Sequence, residues 1–211
     1  ARARKRFYLD NAGEMRVEPY RNGSVFSAKS FGVSGIRGLY ALLQQLENYY
    51  NGFVIRGALR PCFEGMAINR RCAQPDDPVK AASRKWVCID IDNVELPDDL
   101  TDFNANTIKV VQVAVECLPR AFQDVSVVYQ FSSSMGLKPG IRVHLWYWLD
   151  RPISDTEAKA WLADSPADLS LYNPVQPHYT APPTFGPGIE DPVRQRLGLL
   201  EGEDGDTVPV P

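Results

Sequence analysis

The sequence predicts an α+β domain whose central sheet, mixed or antiparallel, is flanked by helices. Short apolar runs rich in β-branched residues, led by Trp86-Val87-Cys88-Ile89-Asp90-Ile91-Asp92, have the character of strands. Apolar residues recur at helical spacing in two stretches, and Ser154-x-x-Glu157 opens a third helix as a capping box. The order of these helices and turn-connected strands suits an α+β layer architecture.

Taken in order, Arg6 to Leu9 and Met15 to Tyr20 are expected as two strands joined by a turn at Asn11-Ala12-Gly13, and Asn22-Gly23-Ser24 is a second turn. Ile36, Leu39, Leu43 and Leu46 mark an amphipathic helix over 35–49, followed by a strand at Phe53 to Ile55. Residues 56–83 are irregular and rich in Arg, Pro and Asp. After the Asp-bearing strand and a Pro/Asp loop, Ile108, Val111, Val115 and Leu118 mark a second helix, although valines favour strand. Val125 to Phe131 and Arg142 to Leu149 are strands separated by the long turn Ser132 to Gly140, and Asp150-Arg151-Pro152 is expected to break the second. The capped helix covers 155–163, and from Asn173 to Pro192 prolines remove periodicity. The expected division is an N-terminal α/β part (1–83), a core (84–185) and a Pro-rich C-terminal extension or linker (186–211).

With 211 residues, 44% hydrophobic and 23% charged, the chain suits one large domain or two small ones with a sizeable core. No run is long and apolar enough to span a membrane, and no secretory signal opens the chain. Cys62, Cys72, Cys88 and Cys117 form no C-x-x-C, and Cys88 and Cys117 sit in apolar runs as expected core residues. A reducing, cytoplasmic protein without a structural metal is expected. Both ends look cut from something longer. The net charge of −3 excludes a general polycation, so nucleic-acid binding requires local patches. Arg2, Arg4, Lys5 and Arg6 form one, and Arg70, Arg71, Lys80, Arg84 and Lys85 another. Each patch is equally compatible with a solvated face.

Side chains alternate along a strand, so Asp90 and Asp92 share a face. Adjacent carboxylates repel and either share a proton or hold a cation; neutralising one is expected to relieve strain. The bland alternative is a polar strand end. On a later strand Arg142, His144, Trp146 and Trp148 share one face. A His between aromatics is commonly a core residue, but an Arg beside it calls for an anion, and the pair suits phosphate. Asp168 follows the capped helix and is by itself a weak signal, with Asp164 as its competitor.

Two aspartates, a histidine on a later strand and a further aspartate, in that order, resemble the three motifs of the archaeo-eukaryotic primase superfamily. The motifs are Ile89-Asp90-Ile91-Asp92, Arg142-Val143-His144 and Ala167-Asp168. The resemblance covers about 84–185 and is nearest to primase-polymerase domains in replication proteins of plasmids, phages and mobile elements. Arg142 stands where a Ser is common. The resemblance implies an RRM-like catalytic core, with Asp90, Asp92 and Asp168 holding two Mg²⁺ or Mn²⁺ ions for nucleotidyl transfer. Arg142 and His144 would grip the phosphates of an NTP or dNTP, aided by Ser132, Ser133, Ser134 and Lys138, with Tyr179 beside the nucleotide. A single-stranded DNA template would ride on Arg70, Arg71 and Lys85, and a helicase or further replication domain would be fused to the module. A metal-dependent nuclease or phosphoesterase and a non-catalytic replication-initiation DNA-binding module are the alternatives.

Overall fold

The computed structural model describes residues 3–21 and 25–211; the turn expected at 22–24 and Arg2 of the basic cluster lie outside the described residues. β1 (Arg6–Leu9) and β2 (Met15–Glu18) form a hairpin whose turn is tied by Asp10, which accepts from the N–H groups of Ala12 and Glu14. β3 (Val25–Ser27), α1 (Gly35–Leu46) and β4 (Phe53–Val54) follow. The irregular stretch holds the short strands β5 (Ala58–Leu59), β6 (Ala67–Asn69) and β7 (Val79–Lys80). Then come β8 (Arg84–Val94), α2 (Thr107–Glu116), β9 (Val127–Phe131), β10 (Ile141–Ile153) and α3 (Asp155–Trp161). β11 (His178–Tyr179), β12 (Thr184–Phe185) and β13 (Leu197–Leu200) complete the chain.

The predicted α+β class is the one observed. Its centre is a four-stranded sheet in the order β13-β9-β10-β8, antiparallel throughout. Alternation gives this sheet two unlike faces. On one, Val87, Ile89 and Ile91 with Val143, Leu145 and Tyr147 pack against Val110, Val111 and Ala114 of α2 and Ala158 of α3. Burial on this face outweighs the strand preference of the α2 valines. On the other, Cys88, Trp146, Val128 and Leu197 pack against Ile36, Leu39 and Leu43 of α1. The charged residues of β8 and β10 stand beyond that apolar patch on the same face.

Three expectations are corrected. β10 does not break at Asp150-Arg151-Pro152 but runs to Ile153. Its pairing with β8 jumps from Trp148↔Trp86 to Ile153↔Arg84, and the irregularity accommodates a proline with no N–H to offer. The C-terminal segment is not a free extension. β13 pairs with β9, Val208 is buried, and the chain zips onto β10 through Val208 N–H to Trp148 and Asp150 N–H to Val208. Cys117 is exposed at the end of α2, where it has left the buried stripe, whereas Cys88 is buried. The Ser154 capping box is present: Ser154 Oγ accepts from the Glu157 N–H, and Glu157 accepts from the Ser154 N–H. Among the described residues no helix is long and apolar enough to cross a membrane.

Candidate functional site

β8 and β10 bring four candidate side chains into a square. In the antiparallel register Asp90 lies opposite His144 and Asp92 opposite Arg142. His144 Nε2 is 3.3 Å from Asp90 Oδ1, and Arg142 Nη1 is 2.9 Å from Asp92 Oδ1. The depth differs: the Asp90 side chain is 17% exposed and that of Asp92 55%. The inner pair is therefore a desolvated ion contact and the outer pair a wet one. Asp90 and Asp92 share a face, as the alternation requires, and each carboxylate is neutralised across the strands rather than left to repel its neighbour.

Burial pushes the Asp90 carboxyl up, but the His144 charge 3.3 Å away, helped by His178 and Lys5, holds it below the usual carboxylate value. Burial pushes the His144 imidazole down, and Asp90, with a contribution from Asp92, more than reverses this. The 3.3 Å approach has poor hydrogen-bond geometry, so Asp90 Oδ1 keeps accepting capacity, and His144 Nδ1 is buried without a partner. His178 packs its ring on Trp86 and Trp146 with neither nitrogen partnered, and burial lowers its pKa to about 3.

The loop between β9 and β10 forms one rim. Ser132 Oγ lies 3.3 Å from Ser134 Oγ, and the Ser132 carbonyl accepts from buried Arg196. Gly136 turns this loop with a φ of 76°, where a Cβ would meet Phe103 and Pro192 at 2.9 Å. Lys138 is exposed on the same loop. Opposite it, Tyr20 reaches Ser133 Oγ at 3.2 Å and stacks on Tyr179 with centroids 3.7 Å apart. Lys5 lies over Tyr20, and its pKa is lowered by burial and by the charges of Lys138 and Arg142. Arg142, His144 and Lys5 thus stand beside the two carboxylates.

Asp168 reaches the site through its main chain. Ala167 bridges Ile91, and the Asp168 N–H donates to the Asp90 carbonyl at 2.9 Å. Its carboxylate caps the following turn instead, accepting from the N–H and hydroxyl of Ser170. Among the described residues no group of three or more His, Cys, Asp or Glu is arranged to hold a metal ion. Arg70 is committed to the Val175 carbonyl at 2.7 Å and to the Phe53 ring; Arg71 and Lys85 are exposed and form no ion pair with the acids. Lys5, Tyr20 and His178 are site residues that the motif order does not reveal. One signal for His178 was present in the sequence, since the chain has only two histidines.

No family model and no solved structure matches this chain. A protein of Escherichia phage T5, provisionally named a replication origin binding protein, is 28% identical over 155 residues, covering 61% of this chain. The chain spans 16% of the length of that phage protein.

Proposed function

We propose that this chain is the primase-polymerase module of a replication protein, transferring nucleotides from NTPs or dNTPs to a primer or initiating nucleotide on single-stranded DNA. The observation that carries the reading is the cross-strand square of Asp90, Asp92, Arg142 and His144, with Lys5 beside it. Carboxylates and phosphate-binding cations in one pocket are what metal-assisted triphosphate chemistry requires. The β8-α2-β9 unit, split by β10 lying between its strands, is shared with an RRM-like core, but the fourth strand departs from that fold, since β13 flanks β9 rather than β8. The name of the phage relative, a replication origin binding protein, supports a role in replication initiation.

Asp90 and Asp92 supply oxygen donors of the kind a hard divalent ion takes, and to take one they would have to release their contacts with His144 and Arg142. Asp90 and Asp92 offer carboxylate oxygens, one of them with spare accepting capacity, and Mg²⁺ commonly takes only one or two carboxylates together with substrate phosphates. Asp168 is the candidate for a further oxygen ligand. Asp90 and Asp92 would hold Mg²⁺ or Mn²⁺, whose chemistry would be activation of the attacking hydroxyl and charge compensation for the leaving pyrophosphate. The chain's own share is positioning: Arg142 forks onto phosphate oxygens, His144 donates a further bond, and Lys5 and Lys138 add positive charge.

A gel assay with Mg²⁺ or Mn²⁺, labelled NTPs or dNTPs and a single-stranded template, with and without primer, tests this reading. Product that disappears in Asp90→Asn is the expected result, and the unprimed lane separates priming from extension. Shortened primer without product indicates a nuclease. A second reading, a non-catalytic origin-binding module, is favoured by the engagement of both acids with cations and of Asp168 with its cap. Its mark is a mobility shift with no change in any strand.

A further inference from the structure

The sheet face that carries Asp90 ends, on the far side of its tryptophans, in a groove of about 1050 Å³. Phe26, Phe31 and Phe53 line it together with Trp86 and Trp148 of β8 and β10. Phe31 is 54% exposed, and the Lys29 ammonium lies 5.3 Å from its ring centroid. The charged residues of the lining are Lys29, Lys85 and Arg84, the last donating to the Arg56 and Gly57 carbonyls, with no Asp or Glu among them. That is a strong local bias in a chain whose 26 acidic residues outnumber its 23 Lys and Arg.

Aromatic rings interleaved with cations along an acid-free channel match the two needs of an unpaired nucleic-acid strand: stacking surfaces for bases and positive charge for phosphates. A duplex hides its base faces, and an apolar peptide has no use for the cations. We infer that this groove holds single-stranded DNA, with bases stacked on Phe31, Trp86 and Trp148 and phosphates facing Lys29 and Lys85. Trp86 precedes Asp90 by four residues on one strand, about 13 Å by strand rise. A strand seated in the groove therefore lies within a few nucleotides of the proposed catalytic acids. Use as a template track rests on the proposed catalysis; binding itself does not require Asp90.

The test is fluorescence anisotropy of a labelled oligo(dT) of about 12 nucleotides, a length within common single-strand site sizes. The intact chain is compared with Phe31→Ala/Lys85→Ala, Lys29→Ala/Lys85→Ala and Lys159→Ala. The Phe31 variant is expected to bind about 10-fold more weakly, from loss of one stacking platform and one cation. The lysine variant is expected to flatten the salt dependence by about 0.7 in log–log slope per cation removed. Lys159→Ala, a cation removed from the exposed side of α3 on the opposite sheet face, should bind as the parent does. Undiminished binding in both groove variants overturns the proposal, as does equal affinity for a duplex of the same length. Binding through these residues without primer extension leaves the groove standing while the catalytic reading falls.

Discussion

His144 stands directly across the sheet from Asp90, with its Nε2 3.3 Å from the carboxylate, in a part of the sheet where both are largely buried. This relationship reverses one inference from the sequence. Neutralising an acid of a self-repelling pair would stabilise the fold, but here each acid is already balanced by a cation on β10. Asp90→Asn should therefore lower stability, by about 1–3 kcal/mol from the buried His144 left without its counter-charge. Urea denaturation measures this. The same variant is expected to lose nucleotide incorporation by about 100-fold or more, since even groups that merely orient metal ligands are worth 10–100-fold.

Arg142→Ala separates binding from folding. The Arg142 side chain is 13% exposed, but the Asp92 carboxylate it leaves behind is 55% exposed and can be hydrated, so its loss should cost no more than about 1 kcal/mol. Without the guanidinium to grip a phosphate, the KM for nucleotide should rise about 10-fold, with little change in melting temperature. A melting shift with an unchanged KM would assign Arg142 a structural role only.

The two histidines give stability opposite pH dependences. His144 is raised above its unfolded value of 6.5, so its contribution is complete below pH 6.5 and is lost as pH rises through the folded value. His178 is depressed to about 3, so its contribution is complete above pH 6.5 and is lost as pH falls toward 3. The depressed Asp90 acts on the acid side too, its contribution being lost as pH falls below 3.8 through its folded value. A stability maximum near pH 6.5 is expected, and His178→Phe should flatten the acid limb between pH 6 and 4, where an unfolded histidine is charged and the buried one is not. Melting temperatures across this range for parent and variant decide it; an unchanged acid limb removes His178 from the account.

Arg56 is fully buried, paired with Asp155 at 2.6 Å and donating to the carbonyls of Trp86 and Ile153. It ties the start of α3 to the ends of β8 and β10. Arg56→Ala should destabilise by about 3–5 kcal/mol, because a partly buried carboxylate and two carbonyls lose their donor. Chemical denaturation reads this directly, and Asp155→Asn should cost less, since the neutral amide still accepts.

Gly136→Ala probes the Ser132–Gly140 rim. Its positive φ costs a side chain about 1–2 kcal/mol, and the new methyl would press on Phe103 and Pro192. Weaker nucleotide binding together with a lower melting temperature is expected, because the strain falls on the loop that carries Ser132, Ser134 and Lys138.

The period-two pattern of Trp86 to Asp92 and of Arg142 to Leu149 sets Asp90 with Asp92, and Arg142 with His144, on one face whatever partner each strand takes. The apolar spacing of 35–46 and the Ser154 capping box likewise define helices from within a dozen residues. These features were legible because they are local: backbone geometry dictates where neighbouring side chains point. Which residue of β10 faces Asp90 was not legible, since a slip of the register leaves both local patterns equally satisfied until packing against α2 and α1 chooses one. His178 beneath the tryptophans, Lys5 beside the acids and β13 at the sheet edge come from distant parts of the chain. Pairing across such separations depends on burial and shape in three dimensions, so the sequence alone determined the chemistry of one face, and only the tertiary structure decided what stands around it.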